Sequence, residues 1–487
     1  MHISRRSFTA SLALTLALPA RLRAFPSDLL SPDDLRADAQ ELYKRLQHAH
    51  FDLFAHRPRS EYDREYAHLV AGITRPLDRA AATQMFQRFT AFGRVAHARI
   101  DAVRTAYTAY LDGGGRVFPL SLRVIAGRAY VAYNASSLGE VRIGDEVLRI
   151  CDQPAMELID RLWREVSADT RYMFHSILEW DLRRLLWMAQ GPLPEFPLCL
   201  RRDEGTPFTV RIPARTPAQM DAVPRPPALN LARKDRSYRM IGPDLAYLRP
   251  GPFYNAENPN ALFDNRAFVA LIDQAFESFL NAGARTLMID LRDNPGGDNS
   301  FSDPMVAWFA SQPFRFASAF RIKVSEEAIA SNAARLANAD NDPTGTSARL
   351  ARAYETAQIG DVIDFPIPTI SPRPGRRFAG QVHVLVNRHS YSNAVSVSAL
   401  VQDLGFGVVI GEETSDLATT YGAMESFTLG RSRLEVGFPK AHIVRPSGNR
   451  SMRGVVPDIA IPTPIMEPPD DPVLQRAIAL ATVRAPG

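Results

Sequence analysis

Short apolar runs and amphipathic stretches alternate through the second half of the chain. Residues 245–248, 287–291 and 382–386 are apolar runs of strand length, whereas residues 265–280 repeat their apolar positions at helical spacing. The alternation of strand and helix continues to Ile461. This order predicts an α/β core with buried parallel strands.

The first hundred residues show helical periodicity instead. A capped helix start at Ser31 precedes apolar positions at helical spacing through Leu46, and two more helices are predicted at residues 60–73 and 78–92. After the glycines at 113–115 the pattern changes to strands, at residues 118–124 and 129–133. A turn, a strand and an apolar helix follow them.

These changes of pattern divide the chain. A helical domain is expected at residues 25–112 and a β-rich domain at 113–221, and a proline-rich linker near 222–228 leads to the core at 229–487. An alanine-rich, polar segment at about 325–360 interrupts the core. We expect a solvated excursion there, with a lid or a dimerisation arm as the alternatives.

The N-terminus has the pattern of an export signal. Arg5 and Arg6 precede Phe8, an apolar run and the small residues Ala20 and Ala24, which is typical of a twin-arginine signal peptide spanning residues 1–24. An ordinary secretory signal or an uncleaved anchor is the alternative. The run is too short for a good membrane span, so we expect a periplasmic or secreted protein with no span in the mature chain.

Charge and cysteine content narrow the function classes further. The first 24 residues hold four arginines and no acid, so cleavage after Ala24 would lower the basic count from 57 to 53, equal to the 53 acidic residues. A neutral mature chain gives no electrostatic reason to expect nucleic acid as a partner. Cys151 and Cys199 could form a disulfide or remain two buried thiols, and no metal-ligand spacing is present.

Two loops carry the candidate chemistry. The strand at 287–291 runs into Pro295-Gly296-Gly297, whose backbone amides suit an anion or a developing oxyanion. The strand at 382–386 leads to Ser390 and Ser392, directly before an apolar helix, where a nucleophile would be presented. Taken alone, Ser392 could simply cap that helix.

Together, Asp290-Leu-Arg-Asp-Asn-Pro-Gly-Gly297 and Tyr391-Ser-Asn-Ala394 resemble the C-terminal processing (tail-specific) serine peptidase family, which has a Clp protease/crotonase-like core. The resemblance selects Ser392 over Ser390 as the nucleophile. It implies peptide or protein substrates, an oxyanion held by the amides of Gly296 and Asn393, and no cofactor. The Gly297 amide is the alternative to that of Gly296. Residues 138–150 are also similar to half of a PDZ-like domain, although a structural β-element is an alternative.

The resemblance also directs the search for the base. The best-known branch of the family uses a lysine, but Leu417 occupies its place, and Lys440 is the only lysine beyond Ser392. His97, in Val95-Ala-His-Ala-Arg99, matches the position of the histidine base in the tricorn-like branch, and His389 is the alternative.

A carboxylate should orient the imidazole. Candidates are Glu412 and Glu413, with Asp416 and Glu425 behind them, and we take Glu413. The sequence thus predicts an exported serine peptidase. A catalytically inactive relative that binds peptide or glycan is the alternative, whereas acyl-CoA chemistry on the related crotonase fold fits poorly with an export signal.

Overall fold

The computed structural model describes residues 29–101, 103–224, 235–258, 261–338, 345–465 and 470–482. The signal-peptide prediction at 1–24 and most of the linker prediction at 222–228 lie outside these ranges. No helix within them is both long and apolar enough to cross a bilayer.

The helices follow the apolar periodicity of the sequence. Capping side chains mark the N-termini of several of them, as at Ser31, whose hydroxyl accepts from the Asp34 amide at 3.1 Å, and at Asp78, which accepts from the Ala81 amide at 2.8 Å. The helices are α1 (Pro32–Ala49), α2 (Arg59–Gly72), α3 (Arg79–Ala91), α4 (Val103–Asp112), α5 (Ala155–Leu162), α6 (Arg171–Gln190), α7 (Pro217–Asp221), α8 (Arg266–Asn281), α9 (Asn299–Ala307), α10 (Glu326–Asn338), α11 (Thr346–Glu355), α12 (Asn393–Asp403) and α13 (Pro472–Thr482).

The strands form three sheets. They are β1 (Leu120–Ile125), β2 (Arg128–Asn134), β3 (Glu146–Ile150), β4 (Gln153–Pro154), β5 (Glu195–Arg201), β6 (Phe208–Pro213), β7 (Ser237–Ile241), β8 (Leu245–Arg249), β9 (Thr286–Asp290), β10 (Ala319–Lys323), β11 (Val362–Asp364), β12 (Gln381–Val386), β13 (Val408–Gly411), β14 (Thr420–Thr428), β15 (Glu435–Val444) and β16 (Ile459–Ala460).

The central sheet has the order β16-β13-β12-β9-β8-β7 and is parallel except for β7. Side chains alternate across it: Leu287 and Ile289 join the core formed with α8, α9 and α12, whereas Met288 between them packs in the core that includes α13. Both faces are therefore covered, and the predicted α/β fold is confirmed.

β9 and β12 are parallel neighbours in this sheet, with Ile289 opposite Val384 and Asp290 opposite Leu385. The carboxyl ends of parallel strands lie at the same edge, which is where open α/β sheets place their sites. The loops that follow β9 and β12 must therefore emerge side by side.

A second sheet, β11-β10-β15-β14, carries the predicted insertion. α10 and α11 pack on it, and Leu350 and Tyr354 are buried against Ile322 and Phe365. The expectation of a solvated excursion at 325–360 is therefore wrong for the described helices, because they cover a core of their own. The sequence did not predict this burial, because the segment is rich in alanine and has few large apolar residues.

The third sheet, β1-β2-β3-β5-β6 with β4 beside β3, is antiparallel and packs against α5 and α6. Its residues Cys151 and Cys199 are both free thiols in the structure. The N-terminal helices, by contrast, share one core with the distant β14–β15 hairpin, through Phe427, Val436 and Phe438. This shared core fixes the loop after α3, which carries His97, against the rest of the protein.

Candidate active site

The loops after β9 and β12 are joined by reciprocal hydrogen bonds. The Asp293 amide donates to Asn387 Oδ1 at 3.1 Å, and Asn387 Nδ2 donates to Asp293 Oδ1 at 3.0 Å. The Tyr391 amide donates to the Asn294 carbonyl at 2.9 Å. The two predicted loops thus form one connected unit at the edge of the sheet.

Gly296 lies directly against Ser392 within this unit. A Cβ placed on Gly296 would lie 2.8 Å from Ser392 Cβ and 2.6 Å from the Asn393 nitrogen. Gly296 also has a φ of +80°. Both the space and the backbone conformation therefore require glycine at this position.

The amides of the glycine turn differ in their hydrogen bonds. The Gly296 N–H donates to Asn294 Oδ1 at 2.8 Å, so it is already engaged inside the turn. The Gly297 N–H makes no hydrogen bond with any described residue. The bridge between Gly297 and Phe253 is formed by the residues on either side of the glycine: Phe253 N–H donates to the Gly296 carbonyl, and Asp298 N–H donates to the Phe253 carbonyl. Of the two amides considered from the sequence, that of Gly297 is the unengaged one.

Ser392 precedes α12 in a strained conformation. Its φ of 52° and ψ of −120° are uncommon for a residue with a side chain, and such strain is typical of functional turns. Its side chain makes no capping hydrogen bond to the helix, so helix capping does not explain this serine. The rival, Ser390, is fully buried, donates to the Leu291 carbonyl at 2.8 Å and accepts from the Asn387 amide at 3.1 Å.

His97 is buried beside the serine loop. Its ring stacks on that of Tyr391, the residue before Ser392, with 5.9 Å between the ring centroids. Burial is the main cause that lowers the pKa of His97 to about 4, assisted by the charge of Arg99 and opposed by Asp169. The imidazole is therefore neutral near pH 7, as a proton acceptor must be, and its Nδ1 has no hydrogen-bond partner among the described residues.

Two buried aspartates bind the backbone of these loops, one at the histidine loop and one at the serine loop. Asp169 Oδ2 accepts from the Ala96 amide at 3.1 Å, while its Oδ1 lies 3.6 Å from His56 Nε2. Asp416 Oδ2 accepts from the Ser392 amide at 2.6 Å. Burial, followed by the charge of Asp169, raises the pKa of Asp416 to about 7. Asp169 therefore holds the histidine loop and Asp416 holds the serine loop, and the charges of the two carboxylates influence each other.

Three of the acids considered from the sequence are each paired with an arginine or a lysine in the structure. Glu413 is bound to Arg453 at 2.6 Å, Glu412 to Arg388 at 2.5 Å, and Glu425 to Lys440 and Arg335. Asp169, just before α6, carries a charge that favours the protonated form of His97, and sequence reasoning missed it because no motif marks that segment.

The other residues considered as the base, His389 and Lys440, are bound to other side chains. His389 Nε2 lies 3.0 Å from Glu179 Oε2, and its Nδ1 lies 3.1 Å from Ser176 Oγ. Lys440 is buried in its ion pair with Glu425. Across the part of the chain that the structure describes, no group of three or more His, Cys, Asp or Glu side chains is arranged to hold a metal ion.

Comparison with known proteins finds a matching family model for the part of the chain that contains Gly296 and Ser392. Residues 263–461 match the model of peptidase family S41. This part of the chain is similar to an S41 peptidase domain. Family S41 consists of peptidases, generally of the serine type, so the resemblance drawn from the sequence is confirmed at this level. The matched residues include Gly296 and Ser392 but not His97 or Asp169, so the histidine-base branch stays a prediction.

Solved structures agree on the fold over most of the chain. Mature CPAF complexed with lactacystin is 15% identical, with 92% of this chain and 98% of that chain covered and a TM-score of 0.63. Mature CPAF alone is 16% identical, with 89% and 94% covered and a TM-score of 0.58. At such identities the similarity shows a shared fold. No curated protein matches the chain.

Proposed function

We propose that the protein is an exported serine peptidase that hydrolyses peptide bonds through an acyl-enzyme on Ser392. The observation that carries the proposal is the contact between the glycine turn and Ser392, with the ring of His97 stacked on the adjacent Tyr391. The S41 domain match supports the same chemistry.

In the proposed reaction the Ser392 hydroxyl oxygen bonds to the scissile carbonyl carbon, and neutral His97 takes its proton. The C–N bond then breaks, and the imidazolium returns the proton to the leaving amine. Water repeats the sequence on the ester and releases the acid product and the free serine. Because burial disfavours the imidazolium, the nearby carboxylate of Asp169 is assigned to stabilise it.

The tetrahedral oxygen needs fixed donors. We assign the Asn393 amide, which begins α12 and faces Gly296, as one of them. The second donor is assigned to the glycine turn: the Gly297 amide is unengaged, whereas that of Gly296 would have to leave or share its bond to Asn294. Gly296 then serves mainly by letting the two loops meet.

Export is proposed from the N-terminal sequence, with Arg5 and Arg6 as the twin-arginine pair. Replacing both Arg5 and Arg6 by lysine should leave the precursor in the cytoplasm, whereas the wild-type protein should be recovered from the periplasm or the medium. Equal export of both proteins would remove the twin-arginine assignment.

Hydrolysis of unfolded casein by the mature protein tests the enzyme. Ser392→Ala should abolish cleavage, and Ser396→Ala, one helical turn further on, should keep it. Equal cleavage by Ser392→Ala and wild type would refute the proposal. Peptide binding by wild type without cleavage would favour the inactive binding relative.

A further inference from the structure

A cavity of about 130 Å³ lies directly beside the candidate catalytic residues. Its wall includes Ala96, Pro295, Tyr391 and Ser415. These are the chain neighbours of His97, Gly296, Ser392 and Asp416, respectively. The same loops that carry the proposed chemistry therefore also form this cavity, together with α4 and α6.

Most charged groups in the cavity wall are paired with each other or with nearby residues. Arg184 makes two hydrogen bonds to Asp181, one of them at 2.9 Å. Arg99 pairs with Asp101 at 3.1 Å, Arg388 with Glu179 at 2.7 Å, and Glu165 with Arg88 at 2.6 Å. The acids of the wall are thus already bound by arginines.

Arg104 is the exception. Its guanidinium is 3.9 Å from Asp181, which is occupied by Arg184, and it lies 5.4 Å from the ring centroid of Trp180. It makes no hydrogen bond to any side chain or carbonyl of the described ranges. Burial lowers the pKa of Arg104, with the nearby acids only partly opposing it. A guanidinium has five N–H donors, and with 27% of the Arg104 side chain exposed these donors are accessible to a partner.

The apolar part of the wall is formed mainly by Ile100, Val166, Met173 and Ile177. Uncharged polar side chains, among them Gln87, Ser167 and Ser176, also line the cavity. The cavity therefore suits a group with an apolar body and an anionic end that can accept two hydrogen bonds from a planar fork. Peptides offer this combination as a carboxylate.

We propose that the cavity is a substrate subsite that binds a carboxylate of the peptide through Arg104. This inference rests on the proposed function, because it takes the peptide as the occupant. The carboxylate has two possible sources, the C-terminus of the peptide or an Asp or Glu side chain. Either would accept hydrogen bonds from the donors of Arg104.

Binding to the Ser392→Ala protein, which cannot turn substrate over, tests the subsite. The probes are two fluorescein-labelled hexapeptides, Ala-Ala-Ala-Ala-Ala-Leu as the free acid and as the C-terminal amide, and a third, amidated, with Asp in place of the fifth alanine. Fluorescence anisotropy should show about tenfold or tighter binding of a carboxylate-bearing peptide than of the plain amide. Preference for the free acid identifies the C-terminus, and preference for the Asp peptide identifies the side chain.

The Arg104→Gln change in the same background should remove that preference. Arg64→Gln, on the exposed face of α2, is the matched control and should retain it. Melting temperatures of both variants confirm that they fold. Equal binding of all three peptides, absence of binding, or a preference that survives Arg104→Gln would overturn the subsite.

These outcomes separate the subsite from the peptidase. If wild type cleaves casein but shows no carboxylate preference, only the subsite is wrong. If wild type does not cleave but an Arg104-dependent preference is found, the cavity is a carboxylate site in a protein that is not a peptidase.

Discussion

Gly296 and Ser392 come from different loops, and a Cβ on the glycine would lie 2.8 Å from that of the serine. The contact arises because β9 and β12 are parallel neighbours whose following loops emerge at one edge of the sheet. Its closeness gives a direct way to perturb the site without touching a titratable group.

Gly296→Ala should lower casein turnover by about a hundredfold or more, because the added methyl displaces the Ser392 loop and the Asn393 amide. Gly127 has a similar φ of +76° but open space around it, so Gly127→Ala isolates the conformational cost of alanine. That control should lose about 1 kcal/mol of stability and no activity. Equal activity of the two variants would contradict the contact's role.

Asp169→Asn and Glu413→Gln compare the acid that we propose from the structure with the acid predicted from the sequence. Because Asp169 favours the charged form of His97, its loss should lower kcat by about a hundredfold with little change in KM. The acidic limb of the pH profile should also move to lower pH, since the pKa of His97 falls further. Glu413→Gln should retain wild-type kcat, because Glu413 is bound to Arg453. The reverse result would identify Glu413, and not Asp169, as the acid that acts on His97.

Asp416 predicts a pH dependence of stability. Its pKa is raised to about 7 in the folded state, above the ordinary value of 3.8, so the folded protein binds this proton more tightly than the unfolded chain. Its contribution is fully present below about pH 4 and is lost as pH rises toward 7, at about 1.4 kcal/mol per pKa unit. The change in Tm of wild type relative to Asp416→Asn, measured from pH 4 to 8, isolates this residue from His97, whose lowered pKa has the opposite effect. A difference that does not vary with pH would contradict the assignment.

Lys440→Met separates a structural lysine from a catalytic one. Lys440 is buried against Glu425, so its removal should destabilise the protein by about 3 kcal/mol, measured by urea unfolding. Activity at a temperature where the variant is folded should match wild type. Loss of turnover by the folded variant would revive the lysine-base alternative.

The sequence predicted the core elements well because their signals are local. The apolar run at 382–386 and the helix after Ser392 correspond to β12 and α12, and the run at 287–291 corresponds to β9 within one residue. Parallel strands buried on both faces are nearly continuous in apolar residues, which makes them easy to recognise. The Pro295-Gly296-Gly297 turn was recognisable because its signal is also local.

The acid and the packing of the N-terminal helices depend on contacts between distant segments. Asp169 has no motif around it, and only the fold brings it to Ala96 and His97. Glu413 is a candidate through its place in the Gly411-Glu-Glu-Thr414 turn, but its side chain is held by Arg453 at the surface. Likewise, nothing local showed that the helices before residue 100 share a core with β14 and β15.

Covalent labelling by a fluorophosphonate probe, followed by peptide mapping, tests the central claim most directly. The account predicts one labelled residue, Ser392, with labelling lost in Ser392→Ala and slowed about a hundredfold or more in His97→Gln. No labelling of folded wild type, labelling of another serine, or equal labelling of Ser392→Ala would contradict it.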